Sequence, residues 1–171
     1  MIPAELIEKC IKRDEEAFKT LVDLCAGRFY GYFYRLTGNA EISNDLLSEL
    51  FVKLVSKISS FKSGYFEQWL FTVASNVFYD HLRRQKRDKK LIEEQAKNLA
   101  TTSVDESDDE RLDQLQKQLA KLDEQTRELI VLRFYSDMSF KEIAQLRKEP
   151  IGTVLSKIHR GLAKLRENIE N

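Results

Sequence analysis

The sequence predicts an all-α protein: two small helical domains joined by a flexible acidic linker, the C-terminal one containing a helix-turn-helix. Three observations carry this. Apolar residues recur at steps of three and four along most of the chain, and 171 residues contain only two prolines and six glycines, as suits helices. Between residues 91 and 110 the composition turns polar and acidic, with Ser103-Val104-Asp105-Glu106-Ser107-Asp108-Asp109-Glu110 nearly free of core formers. From Ser139 to Leu165 the stretch SFKEIAQLRKEPIGTVLSKIHRGLAKL reads as two helices around a tight break.

In chain order, Pro3 suits the first turn of a short helix running to about Lys12. Ala17, Phe18, Leu21, Val22, Cys25, Phe29, Tyr32, Phe33 and Leu36 mark a second helix, ending at Gly38-Asn39. Ser43 is expected to cap a third, whose inner stripe is Leu46, Leu47, Leu50, Phe51, Leu54, Val55 and Ile58. Asp45 and Glu49 share a face of that helix and are not needed for its core. The loop from Phe61 to Tyr65 leads to a fourth helix beginning near Phe66, with Trp69, Leu70, Val73, Ala74, Val77 and Phe78 inward. Trp69 reads as a packing residue.

The fourth helix then changes character. His81, Arg83, Arg84, Lys86, Arg87, Lys89 and Lys90 crowd together with only Asp80 and Asp88 nearby. Like charges at that density repel unless an anionic partner neutralises them. Aromatic residues beside such a tail suit a surface that stacks on bases and holds phosphates. This places an N-terminal domain at residues 1–90, a linker at 91–110 and a C-terminal domain at 111–171. Such a tether is expected to leave the domains loosely oriented.

In the C-terminal domain Leu112, Leu115, Leu119 and Leu122 restart a helix, and Leu129, Ile130 and Phe134 follow on another. Ser139 and Glu142 form a capping box for the next, where Ala144 permits close approach of a neighbour. Pro150 ends that pattern, and Ile151, Val154, Ile158, Leu162, Leu165 and Ile169 set the buried stripe of the last helix. Its other face carries Thr153, Ser156, Lys157 and Arg160, hydroxyls and cations suited to a DNA groove. From Lys141 to Arg166 seven cations face only Glu142 and Glu149.

Lysine plus arginine equals aspartate plus glutamate at 28 each, so only the distribution of charge points to a partner. Cys10 and Cys25 are too few for a disulfide framework and read as reduced packing residues. No apolar run approaches ~18 residues and the N-terminus is polar, so neither a membrane span nor a signal peptide is expected. A cytoplasmic location follows as the default. There is no Gly-rich phosphate loop and no His-Glu metal spacing, so no cofactor, metal or catalytic residue is assigned. His81 and His159 sit on basic faces where solvation or a phosphate contact suffices.

Asp45-Leu46-Leu47-Ser48-Glu49-Leu50-Phe51, then Trp69-Leu70 with Asn76, Asp80, Arg83 and Arg84, resembles region two of bacterial sigma factors. Arg127, Leu132-Arg133-Phe134-Tyr135, Glu142-Ile143-Ala144 and Gly152-Thr153-Val154, followed by Ser156, Lys157, His159 and Arg160, resembles region four. Possession of these two regions alone resembles the extracytoplasmic-function subfamily. The resemblance implies that the helix bearing Asp45, Ser48 and Glu49 binds core RNA polymerase. It implies that the loop with Lys62 and Ser63, together with Asn76, Asp80, Arg83, Arg84 and Arg87, lies along the melted single strand of the minus-ten element. A flipped base there costs a few kcal/mol, which pocket contacts must offset. Thr153, Ser156, Lys157 and Arg160 would meet duplex promoter DNA at the minus-thirty-five element. An anti-sigma factor is a further candidate partner.

Three departures from the family pattern bear on this. Ser48 stands where Gln is usual, and Leu155 replaces a commonly basic position, suiting a thymine methyl in place of a phosphate. Arg147-Lys148-Glu149 replaces an apolar-Gly-apolar turn. A left-handed Lys148 there would cost ~1 kcal/mol. Two rival readings remain. An operator-binding regulator that ignores polymerase leaves the Asp45/Glu49 face unexplained, and a protein that only sequesters another regulator leaves both basic surfaces unexplained.

Overall fold

The computed structural model describes residues 2–95 and 110–170, and every regular element within them is helical. In order these are α1 (Ala4–Ile11), α2 (Glu15–Thr37), α3 (Ala40–Lys57), a 3-10 turn (Ile58–Ser60), α4 (Phe66–Gln95), α5 (Glu110–Ala120), α6 (Glu124–Phe134), α7 (Phe140–Arg147) and α8 (Ile151–Glu170). Most of the segment read as the acidic linker lies outside the described residues. Helix α4 continues to Gln95, past the boundary expected at residue 90.

Helix α2 starts where Asp14 accepts a hydrogen bond from the Ala17 amide at 2.8 Å. It stops at Gly38, whose φ of 65° is left-handed and whose N–H returns to the Tyr34 carbonyl. Asn39 follows with an extended backbone and caps α3 by accepting from the Ile42 amide at 2.8 Å. The cap is therefore Asn39, not Ser43. With the chain reversing at Gly38, the helix begins at the next residue, and Ser43 is already one turn inside it. The Ser43 hydroxyl is buried there, bonding back to the Asn39 carbonyl at 2.6 Å.

Around this frame α1, α2, α3 and α4 enclose an aromatic core. Phe29 and Phe71 meet with ring centroids 4.4 Å apart, and Tyr32 makes edge contacts with Phe33 and Phe71. Trp69 is half-buried and rests on Phe61 and Phe66. It anchors the 61–65 loop at its base, which accords with a packing role.

In the second half Asp123 caps α6 through the Thr126 amide at 2.9 Å. The capping box on α7 forms as expected, with Ser139 and Glu142 each accepting from the other's backbone amide. Lys148 is left-handed at φ 53°, a conformation whose cost is ~1 kcal/mol. The geometry recovers bonds for α7: the Glu149 amide reaches the Ala144 carbonyl at 3.0 Å and the Lys148 amide reaches Gln145 at 3.3 Å. Ile143, Ala144, Val154 and Ile158 are buried, so α7 and α8 close on one another as a helix-turn-helix.

Helix α6 buries Glu128, Leu129, Ile130, Val131 and Leu132 in succession. A helix buried on every side needs neighbours on every side. Helix α8 covers one face and α2, from the first half, covers another. The halves are thus docked, unlike the loose orientation expected of tethered domains. The reason is a set of side chains whose partners lie roughly a hundred residues away in sequence.

Candidate DNA- and polymerase-binding surfaces

Two faces carry the residues singled out in the sequence. The first lies between α3 and α4. Lys53 donates to Asp80 at 2.8 Å and pairs with Glu49 at 3.3 Å. Arg84 donates to Glu49 at 2.7 Å, and Arg83 pairs with Asp80 one turn away. Glu49, expected to face polymerase, and Asp80, Arg83 and Arg84, expected along the DNA strand, therefore form one ion-pair network. Lys53 is the junction, and sequence reading missed it because it is an ordinary exposed-helix lysine until α4 is laid beside α3.

The electrostatics follow from this geometry. The Lys53 hydrogen bond holds the Asp80 carboxyl below its usual range against a smaller burial penalty. For Glu49, burial pushes upward, but the bonds from Arg84 and Lys53 outweigh it and the carboxyl is lowered. Burial depresses His81, and the Arg84 charge adds to that, so the imidazole favours its neutral form. Clefts that hold small ligands measure roughly 300–1,000 Å³. The one here measures about 620 Å³ and is lined by Glu49, Lys53, Asp80, Arg83, Arg84, Lys86 and Arg87. Five cations against two carboxylates leave it net positive, suited to a phosphate.

Asp45, one turn before Glu49, and Ser48, its immediate neighbour, are exposed, and the exposed Val52 continues that face of α3. Asn76 is exposed on α4, as are Lys62, Ser63 and Tyr65 on the loop before it. Gly64 takes a φ of 106° at the loop tip, a conformation open to glycine. Beneath this loop a cavity of about 460 Å³ is lined by Tyr65, Phe66, Glu67 and Arg28, and by Ser136 and Asp137 of the second half.

The second face is α8. Thr153, Ser156 and Arg160 are exposed on it, while the Ser156 hydroxyl folds back on the Gly152 carbonyl at 2.8 Å. Lys157 is half-buried and donates to Glu149 at 2.7 Å. This pairing escaped sequence reading, since Glu149 stands in the turn that departs from the family pattern. Arg160 is the freer cation. Leu155 is exposed beside Ser156, His159 and Arg160 along a shallow open depression. Among the described residues no group of His, Cys, Asp or Glu is arranged to hold a metal, and no helix is long and apolar enough to cross a membrane.

A recognition helix on one half and a cationic groove on the other can engage two separate stretches of nucleic acid. Comparison with known proteins gives two family matches along the chain. Residues 21–88 fit the sigma-70 region 2 family and residues 112–165 fit the sigma-70 region 4 family. The chain is 32% identical to the RNA polymerase sigma factor CarQ of Myxococcus xanthus, covering 90% of this chain and 89% of that one. It is 29% identical to the ECF RNA polymerase sigma factor SigW of Bacillus subtilis, covering 100% and 98%. Its fold superposes with a TM-score of 0.74 on the sigma factor RpoE of Bartonella quintana, solved with the anti-sigma factor NepR, at 24% identity over 90% and 96% of the chains. The chain belongs to the sigma-70 family of RNA polymerase sigma factors, in its extracytoplasmic-function group. It is a transcription-initiation factor that directs RNA polymerase to promoters.

Proposed function

We propose that residues 1–90 form the module that grips core polymerase and the melted minus-ten strand, and residues 111–171 the module that reads the minus-thirty-five duplex, with residues 91–110 between them. The observation that supports this most is the arrangement of α3 and α4, where a carboxylate-bearing face and a cationic groove adjoin. Asp45, Ser48 and Glu49 are the proposed polymerase contacts. Lys62, Ser63, Asn76, Asp80, Arg83, Arg84 and Arg87 are the proposed contacts along the displaced strand, with Lys53 positioning Asp80. On α8, Thr153, Ser156 and Arg160 read the groove, and Lys157 joins them only by exchanging Glu149 for phosphate. The protein acts in the cytoplasm, without catalytic residues of its own, and is held by an anti-sigma protein until required.

Run-off transcription with purified core polymerase on a library of promoter fragments tests the reading. Discrete start sites that depend on this chain are expected. Transcription independent of it, or promoter-fragment binding with no recruitment of core polymerase, would return the operator-regulator alternative.

A further inference from the structure

We propose that Leu155 is a specificity-determining residue of the recognition helix, reading the C5-methyl group of a thymine in the minus-thirty-five duplex. The proposal rests on the sigma-factor reading above and narrows it to one base-edge chemistry on α8.

The exposed surface of α8 falls into three strips. At roughly 100° per residue, the face opposite the buried Val154, Ile158 and Gly161 carries Gly152, Ser156, His159 and Ala163, all exposed. A Cβ at Gly152 would meet nothing within 4 Å, so no neighbour inside the protein requires glycine there. Small residues on the outward face instead let the backbone approach a major groove only ~12 Å wide. Along one edge of this strip lie Thr153, Lys157, Arg160 and Lys164. Along the other lie Ile151, Leu155 and Leu162, exposed by 49%, 42% and 36%. An isolated exposed leucine is ordinary. Three apolar side chains aligned on one edge, with a row of cations on the other, give the helix two chemically different flanks. The cationic flank suits phosphates, which position a protein without reporting sequence, and the apolar flank suits a base edge.

Leu155 is the member of the apolar flank nearest the outward strip, and it shares an open depression with Ser156, His159 and Arg160. The polar groups around it are engaged within the protein. The Ser156 hydroxyl donates to the Gly152 carbonyl at 2.8 Å, and Arg160 Nε donates to the Ser156 carbonyl at 3.3 Å. Lys157 is half-buried and donates to Glu149 at 2.7 Å. Leu155 itself can gain only by shedding water against another apolar group. On the major-groove edges of the bases that group is the thymine methyl; phosphates and base heteroatoms offer a leucine nothing. A basic side chain at position 155 would reach for phosphate and carry no base preference.

The test uses holoenzyme assembled from the full chain and core polymerase, on the promoter fragment that gives the strongest start in run-off transcription. Each thymine of its minus-thirty-five element, on either strand, is replaced in turn by deoxyuridine, which deletes the methyl and keeps the base pair. The wild type is expected to lose about fourfold in affinity at one such thymine, the factor that burial of one methyl-sized group is worth. Leu155→Ala is expected to bind the thymine duplex more weakly than the wild type and to ignore the exchange at that position. Leu155→Arg is expected to ignore it as well, while steepening the salt dependence by about one unit. Leu155 is exposed, so circular dichroism and the thermal melt should be unchanged in both variants. Equal losses in the wild type and Leu155→Ala, no loss at any thymine, or an element with no thymine on either strand would each overturn the proposal. So would weakened binding of Leu155→Ala to core polymerase without DNA, together with a wild-type response to deoxyuridine; the apolar flank would then be a protein contact. Absence of discrete starts with the wild type would count against the sigma-factor reading instead. The same cycle is then run on a duplex selected from a random pool by the full chain alone. Coupled losses there uphold the role of Leu155, and additive losses, or no duplex selected, overturn it.

Discussion

Glu49 and Glu128 are the same residue in two settings, and the contrast explains much of this molecule. Glu49 lies partly in solvent between Lys53 and Arg84, and its carboxyl is held below the usual range. Glu128 is sealed among Tyr32, Ser75 and Arg147, and desolvation outweighs the Arg147 charge and the hydroxyl bonds, so its carboxyl is raised. At the surface, water screens each ion pair, and a phosphate can displace a carboxylate at small cost. In the interior each partner is irreplaceable, because water cannot take its place. The α3–α4 network is therefore built for exchange, and the α2–α4–α6 site for holding.

Removing each carboxylate should break this comparison or sharpen it. Glu128→Ala leaves two buried hydroxyls and Arg147 without their acceptor and is expected to cost about 3 kcal/mol of stability, read by chemical denaturation of the full chain. A loss under about 1 kcal/mol would place Glu128 with the surface pairs.

On the recognition helix, Arg160→Ala should weaken binding to a minus-thirty-five duplex by about 1–3 kcal/mol if it reads a base. Lys157→Ala should cost less, because Lys157 must first release Glu149. Titration of a labelled duplex checks the order, and a larger effect for Lys157 would mean that the Glu149 pairing does not persist in solution.

Glu49→Ala should change folding stability by less than about 1 kcal/mol. Asp45→Lys, on the fully exposed part of the same face, should leave the melt unchanged while weakening core-polymerase binding by like-charge contact. The double reversal of Asp45 and Glu49 is a poorer probe, since a lysine at 49 would meet Arg84 and Lys53.

The smallest effect separates the two settings by pH. The raised carboxyl of Glu128 binds its proton more tightly in the docked state than when exposed. Docking is thus favoured below the usual value of 4.5 and loses that contribution as pH rises through the raised value. The groups facing Glu128 are Tyr32 from α2, Ser75 and Tyr79 from α4 and Arg147 from α7, and burial raises both tyrosines further above neutrality. Neither tyrosine titrates in that window. The lowered carboxyls of Glu49 and Asp80 act oppositely: their contribution is present above 4.5 and 3.8 and fades as pH falls through their depressed values. Scattering between neutrality and mild acid should show slight compaction in the wild type and none in Glu128→Gln. Equal compaction in both would assign it to another group.

How far such features can be read in advance depends on the range of the interaction. The capping box at Ser139, the stop at Gly38 and the Val154–Ile158 part of the helix-turn-helix stripe each involve residues within a turn or two, so their pattern is present in the chain itself, whereas Ile151 and Leu162 of the expected stripe are exposed. The cap of α3 was misplaced by one turn because Asn39 and Ser43 are both good caps; the left-handed Gly38 makes the choice. Glu128 left a fainter trace. It precedes the run Leu129, Ile130, Val131 and Leu132, which is apolar on every side of the helix, and this marks a buried carboxylate without naming its partners.

By itself the sequence determined that this protein is helical, that its second half ends in a helix-turn-helix, and that its basic residues gather on two separate elements. Those properties follow from helical periodicity and local hydrogen bonding, which act over a few residues. Only the tertiary structure decided that Lys53 ties Glu49 to Asp80, that Glu149 claims Lys157, and that Tyr32 and Ser75 close on Glu128. Each of those depends on which helix faces which, and that is set by packing across the whole chain. The same packing decides which carboxylates keep water and which surrender it.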